Sequence, residues 1–182
     1  MREHKRQQPE TPWRVPVAVA DVAEGGEHMD LVADADTRAA IARVAALRDL
    51  PRLAASFDLL PQSGGGLRVT GRVSAAVGQT CVVTLEPLTN EIEEEINLLY
   101  MPAATAAADD ESEAEIEPKW GEPEPLIGGT VDLGVLATEF LVLGLDPYPR
   151  KPGAVFEGPR DEWPEPGPFA GLAGLMKNRN GS

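Results

Sequence analysis

Between Leu67 and Val77 apolar and polar residues alternate. Leu67, Val69, Val73, Ala75 and Val77 fall on one parity, and Arg68, Thr70, Arg72 and Ser74 on the other. A period of two is the strand period, because successive side chains leave a pleated backbone on opposite sides. Such a strand has one buried face and one wet face, the arrangement of an antiparallel sheet with one solvated side. The stretch Leu53 to Leu60 reads as a second strand. Between the two lies Gln62-Ser63-Gly64-Gly65-Gly66, a turn signal. Together they predict a hairpin.

The rest of the chain supplies partners for that hairpin. The strand pattern resumes at Cys81-Val82-Val83 after Gly78-Gln79, where a bulge is expected. Glu91 to Met101 predicts a further strand, with Ile92, Ile96, Leu98 and Tyr100 on one parity, interrupted by Glu94. Short strands are expected around Trp13 to Val19, held at an edge by Pro16, and from His28 to Val32. Thr130 or Asp132 is placed to cap a helix running to about Gly144. Its stripe is Leu133, Leu136, Ala137, Phe140 and Leu141, widened by Val135, Val142 and Leu143. Asp146-Pro147 ends it. The expected fold is α+β: an antiparallel sheet covered by one main helix, with additional short helices.

One of those additional helices is expected from an Asp36 cap through about Arg48, with Ile41, Val44, Ala45 and Leu47 on its apolar side. Arg38, Arg43, Arg48 and Arg52 recur through it. They read either as a solvated helix face or as a phosphate-binding face. A spacing of five rotates successive side chains around a helix, so a straight row is excluded.

At 182 residues a single domain is expected, with room for a hydrophobic core. Residues 13–157 form that domain in this reading. Residues 1–12 are a polar tail, and 158–182 a Pro/Gly-rich tail containing a short amphipathic segment around Phe169, Leu172, Leu175 and Met176. Residues 103–124 hold Asp109, Asp110, Glu111, Glu113, Glu115 and Glu117 and read as a mobile acidic loop within it. The formal net charge is −14, from 30 acidic and 16 basic residues. A field of that sign repels a phosphate backbone at long range and favours basic partners. One cysteine excludes an internal disulfide, no apolar run reaches spanning length, and no secretory signal precedes the domain. The cytoplasm is the expected compartment, with no membrane and no small-molecule substrate.

No P-loop, dinucleotide fingerprint, nucleophile elbow or zinc-protease motif is present. A nucleophilic Cys81 would need a base, and only His4 and His28 exist. A closed zinc site would need about four ligands. Cys81 is therefore expected as a structural residue on an apolar strand, with no metal, cofactor or catalytic residue assigned. Glu93, Glu94 and Glu95 alternate in direction along a strand and read as a solvated face. Arg68 and Arg72 project to one side, with Arg14 a candidate neighbour. That side reads as an ordinary wet sheet face or as a local anion or RNA contact. Arg150 and Lys151 offer a second candidate contact.

Three blocks then stand in order. They are Leu67 to Pro87, carrying Val69-Thr70-Gly71-Arg72-Val73 and Cys81-Val82-Val83-Thr84-Leu85-Glu86-Pro87; Val131-Asp132-Leu133-Gly134 through Glu139-Phe140-Leu141; and Leu145-Asp146-Pro147-Tyr148-Pro149-Arg150 with Pro168-Phe169-Ala170-Gly171-Leu172-Ala173. In this combination, over roughly residues 13 to 177 without the acidic loop, the chain resembles the YceD family, linked to accumulation of large-subunit ribosomal RNA. Many relatives carry C-x-x-C-L-x-P; here Thr84 stands in place of the second cysteine. The resemblance implies a non-enzymatic factor in large-subunit RNA accumulation, processing or ribosome assembly. Its implied partners are large-subunit ribosomal RNA precursors or basic ribosomal proteins. A protein–protein adaptor without RNA contact is the alternative. The family supplies no catalytic residue to carry over.

Overall fold

The computed structural model describes residues 11–102, 123–156 and 158. The acidic residues 109–117, the amphipathic segment at 169–177 and most of the N-terminal tail lie outside the described residues. The fold is α+β, with seven strands and two α-helices among the described residues. Strand β1 is Pro16–Ala18, followed by a 3-10 turn at Val19–Asp21; β2 is Glu27–Val32 and helix α1 is Ala35–Val44. Then come β3 at Asp49–Gln62, β4 at Gly66–Thr80, β5 at Pro87–Pro102, β6 at Glu124–Leu126, β7 at Thr130–Asp132 and helix α2 at Leu133–Leu143.

The expected hairpin is present: β3 and β4 pair antiparallel from Arg52↔Ala76 to Gln62↔Gly66 around the glycine turn. The main sheet has the order β2-β3-β4-β5-β6. It is mixed rather than wholly antiparallel, because β6 runs parallel to the end of β5, from Tyr100↔Glu124 to Pro102↔Leu126. A parallel neighbour requires a long connection, and residues 103–123 supply the length. The expected bulge at Gly78-Gln79 is absent from the β4–β5 ladder, which keeps one register through Gly78↔Thr89, Gln79↔Leu88 and Thr80↔Pro87. The irregularity lies on the facing strand, between Asp49 and Arg52 of β3. β1 and β7 form a separate two-stranded ribbon in which both strands are edges, so Pro16 costs no ladder to a third strand.

The alternation of β4 sorts its faces as its parity demands. Leu67, Val69, Val73, Ala75 and Val77 are all fully buried. They join Leu53, Phe57 and Leu59 of β3, Ile92 and Ile96 of β5, Ile41 of α1 and Leu133, Leu136, Ala137 and Leu141 of α2 in one hydrophobic cluster. The other face of the sheet stays open. Asp132 caps α2 by accepting from the Val135 amide at 3.1 Å. The same carboxylate accepts from the Val15 amide at 2.8 Å and from Arg14 Nε at 2.6 Å. Val142 and Leu143 do not widen the buried stripe: they are 46% and 76% exposed, and Phe140 is only half-buried. No helix among the described residues is long and apolar enough to cross a membrane.

Helix α1 departs from its expected ends. Its cap is Asp34, whose carboxylate accepts from the Thr37 amide at 2.7 Å; Asp36 lies in the first turn, where its charge faces the positive helix terminus. The helix stops at Val44, short of Arg48. Ala46 takes a left-handed conformation with φ 54°, and the Leu47 amide reaches back to the Ala42 carbonyl at 2.9 Å. That closure reverses the chain and ends the helix without a glycine.

Candidate functional site

Two surfaces hold the residues singled out in the sequence. The first is the open sheet face. Strand register places Arg72 opposite Glu95, Ser74 opposite Glu93 and Arg68 opposite Leu99. Arg72 lies 3.4 Å from Glu95 and 3.8 Å from Glu93, and Arg52 lies 2.6 Å from Glu91. Arg68 donates to the side-chain oxygen of Asn97 at 3.1 Å and makes no ion pair among the described residues. On the neighbouring strands His28 Nδ1 sits 2.7 Å from Asp58 and its Nε2 3.3 Å from Asp30. The hydrogen bond to Asp58 is the chief reason its pKa is raised, with the charge of Asp30 adding to it. Exposed pairs of this kind are each worth little, because water screens them. Their larger consequence is the charge of the face: Asp30, Asp58, Glu91, Glu93 and Glu95 outnumber Arg52, Arg68 and Arg72.

The second surface is the turn between β4 and β5. β4 ends at Thr80, so Cys81 opens this turn and does not lie on an apolar strand as expected. The turn is closed by the Cys81 amide donating to the Glu86 carbonyl and the Leu85 amide to the Cys81 carbonyl, both at 2.9 Å. Residues 146–151, far away in sequence, dock onto it. The Val82 amide donates to the Pro149 carbonyl at 2.9 Å, and Gln79 Nε2 to the Asp146 carbonyl at 2.9 Å. Asn90 Nδ2 holds the Gln79 side-chain oxygen at 2.9 Å. Lys151 Nζ lies 3.0 Å from Glu86, whose carboxylate also accepts from Thr84 Oγ1 at 3.2 Å. Lys151 and Thr84 together hold the Glu86 carboxyl below the usual range.

Cys81 sits at the centre of this junction, fully buried. Its Sγ receives the backbone amides of Lys151 at 3.4 Å and Thr84 at 3.5 Å. Bonds from Thr84 and from the Lys151 amide pull the thiol down to about 6, against the opposing effect of burial. The residue is structural in position, and the two amides on its sulfur favour the ionised form. The site offers the sulfur no general base and no second thiol among the described residues. Thr84 occupies the place of the second cysteine and meets the sulfur through its amide. Among the described residues no group of three or more His, Cys, Asp or Glu is arranged to hold a metal ion.

A stability consequence follows from that thiol. The unfolded thiol ionises near 9.0 and the folded one near 6, so the thiolate favours the fold. The contribution is complete above the unfolded value and disappears as pH falls through the folded one. The stability gap between the natural chain and Cys81→Ala should therefore widen from pH 6 to pH 9, measured by urea unfolding. Thiolate absorbance should rise with a midpoint near 6; a midpoint near 9 with a constant gap would refute the assignment.

The structure brings Arg68 and Arg72 together on one face, as their parity requires, and gathers Lys151 with Cys81 and Glu86. It does not bring the two pairs together. Arg72 and Cys81 are separated along β4 by on the order of 30 Å at ~3.3 Å per residue. Arg150 is exposed beside the turn, with no side-chain ion pair among the described residues. Arg14 pairs with Asp132 at the start of α2 rather than joining Arg68. Gln79, Asn90 and Asp146, which tie the junction together, were not singled out from the sequence. Nothing in local periodicity marks a contact spanning 67 positions.

A family profile described as large ribosomal RNA subunit accumulation protein YceD matches residues 69–175, more than half of the chain. The span includes most of β4, the Cys81 turn, β5, α2 and the docked run that ends at Lys151. No curated protein and no solved structure matches the chain.

Proposed function

The chain belongs to the YceD family, and on that premise we propose that it is a non-enzymatic factor supporting large-subunit ribosomal RNA accumulation, through precursor processing or subunit assembly in the cytoplasm. The observation that carries this reading is the convergence of separate parts of the family span on the Cys81 junction. Val82 meets Pro149 there, and Lys151 meets both Cys81 and Glu86. Its polar groups are turned on one another, which suits a shaped docking surface better than a centre of bond chemistry. The proposed contacts are Arg68, Arg72, Arg150 and Lys151. Of these, Arg68 and Arg150 keep their charge unmatched by a carboxylate among the described residues, while Arg72 and Lys151 are paired.

A second reading, an adaptor that touches only protein, is favoured by the carboxylate excess on the open sheet face. That field attracts basic ribosomal proteins and opposes phosphate. Isolation of the tagged full chain after crosslinking tests both readings. The expected result is co-sedimentation with large-subunit precursor particles, and a fall in large-subunit relative to small-subunit ribosomal RNA on depletion. Direct contact predicts RNA crosslinks that weaken in Arg68→Glu/Arg150→Glu. The adaptor predicts basic proteins alone, lost in Glu93→Lys/Glu95→Lys. An unchanged RNA ratio with no particle association would overturn the proposal.

A further inference from the structure

A third surface lies on the far side of β3, where α1 turns into that strand. A cleft of about 420 Å³ opens there, with Arg38, Arg43 and Arg48 on its rim and Ala39, Ala42 and Leu47 among its walls. In a continuous helix the five-residue spacing would have rotated these arginines apart. The helix ends at Val44, however, and the reversal at Ala46 and Leu47 carries Arg48 back to the cleft that Arg43 borders. The Arg48 amide is anchored on the Gly78 carbonyl at 2.8 Å, which fixes where the side chain starts.

Charge separates this cleft from the other two surfaces. Arg38 is partly committed, since its guanidinium donates to the Ala33 carbonyl at 2.6 Å and faces the Asp34 carboxylate. Arg43 makes only a long bond, 3.4 Å, to the Ala39 carbonyl. Neither Arg43 nor Arg48 has an ion pair among the described residues, and both are exposed. One carboxylate, Asp49, lines the cleft. The result is a local excess of positive charge on a chain whose net charge is −14. Guanidinium forks match phosphate oxygens in pairs, and they stack on bases. An apolar wall between them suits an unstacked base, which single-stranded RNA presents and a duplex does not. The volume lies within the ~300–1,000 Å³ of small-ligand sites.

We propose that this cleft binds a segment of single-stranded RNA, with phosphates on Arg43 and Arg48 and a base against the apolar wall. The choice of RNA as the anion rests on the ribosomal reading above; the cleft's preference for an anion does not. The test uses the full chain, a 12-nucleotide oligouridylate and a duplex RNA of equal length, followed by fluorescence anisotropy across a salt series.

The natural chain should bind the single strand in preference to the duplex. Affinity should fall with salt at a log–log slope of about −0.7 for each phosphate neutralised. Arg43→Glu/Arg48→Glu should lose about tenfold in affinity for each guanidinium removed. Arg14→Gln, which removes a cation held by Asp132 outside the cleft, should stay within about threefold of the natural chain. If the double reversal fails to fold, Arg43→Gln/Arg48→Gln replaces it and should weaken binding in the same direction. No salt-dependent single-strand binding, or binding that Arg43→Glu/Arg48→Glu leaves unchanged, overturns the proposal. So does a peptide of residues 109–117 that binds the natural chain and not the Arg43/Arg48 variant while RNA does not bind, which would assign the cleft to acidic peptide. Particle association that persists without oligonucleotide binding would overturn the cleft assignment alone and leave the assembly role standing.

Discussion

Phe57→Ala should remove about 3–5 kcal/mol of unfolding free energy, the largest loss expected from any single truncation in this chain. Phe57 is among the largest side chains with no exposed surface. It sits mid-strand in β3, with Met29 of β2 on one side and Gly71 of β4 on the other. Strands flank β3 on both sides, so the sheet cannot close around the space the ring would leave. Phe140→Ala, on α2, should cost less because that ring is only partly buried, at the margin of the core. Urea titrations of the two variants decide it. Equal midpoints would mean that the ring of Phe57 is not the centre of the core.

Gly71→Ala should destabilise by a comparable amount, about 3 kcal/mol, for the opposite reason. A Cβ added at Gly71 runs into the carbonyl oxygen of Ser56 and comes within 3.1 Å of Phe57 Cα and 3.2 Å of the Phe57 ring. Two of the three obstacles are backbone of the paired strand, which is itself tied to β2. The glycine is thus a packing residue: the space of its missing side chain is taken first by the Ser56 carbonyl and the Phe57 backbone, and then by the Phe57 ring. In Phe57→Ala/Gly71→Ala the ring contact is gone but the Ser56 carbonyl remains, so the second change should still cost most of what it costs alone. A double variant no less stable than Phe57→Ala would show that the ring, and not the backbone, makes the glycine necessary.

What the residues determined by themselves was local and periodic. The parity of Leu67 to Val77 decided which face of β4 is buried, because a strand offers only two directions. The glycines before it decided that β3 and β4 form a hairpin. Asp132 and the stripe Leu133, Leu136, Ala137 and Leu141 decided where α2 begins and which side it buries. The family blocks were legible for the same reason: each is a short run whose order survives without coordinates.

What the tertiary structure decided depends on partners far apart in sequence or on a backbone conformation with no residue signature. Alanine in a left-handed turn looks like a helix former, so the end of α1 at Val44, and with it the place of Arg43 and Arg48 on one cleft, was invisible. The true cap, Asp34, differs from Asp36 only in the backbone angles around it. Cys81 leaves the strand at a turn closed by its bonds to Leu85 and Glu86, onto which residues 146–151 dock. Arg72 and Lys151 look like free cations in the chain, and they are paired because strand register and docking bring Glu95 and Glu86 to them. Charge counts are additive along a sequence, whereas charge availability is set by which groups the fold places within a few ångströms of one another.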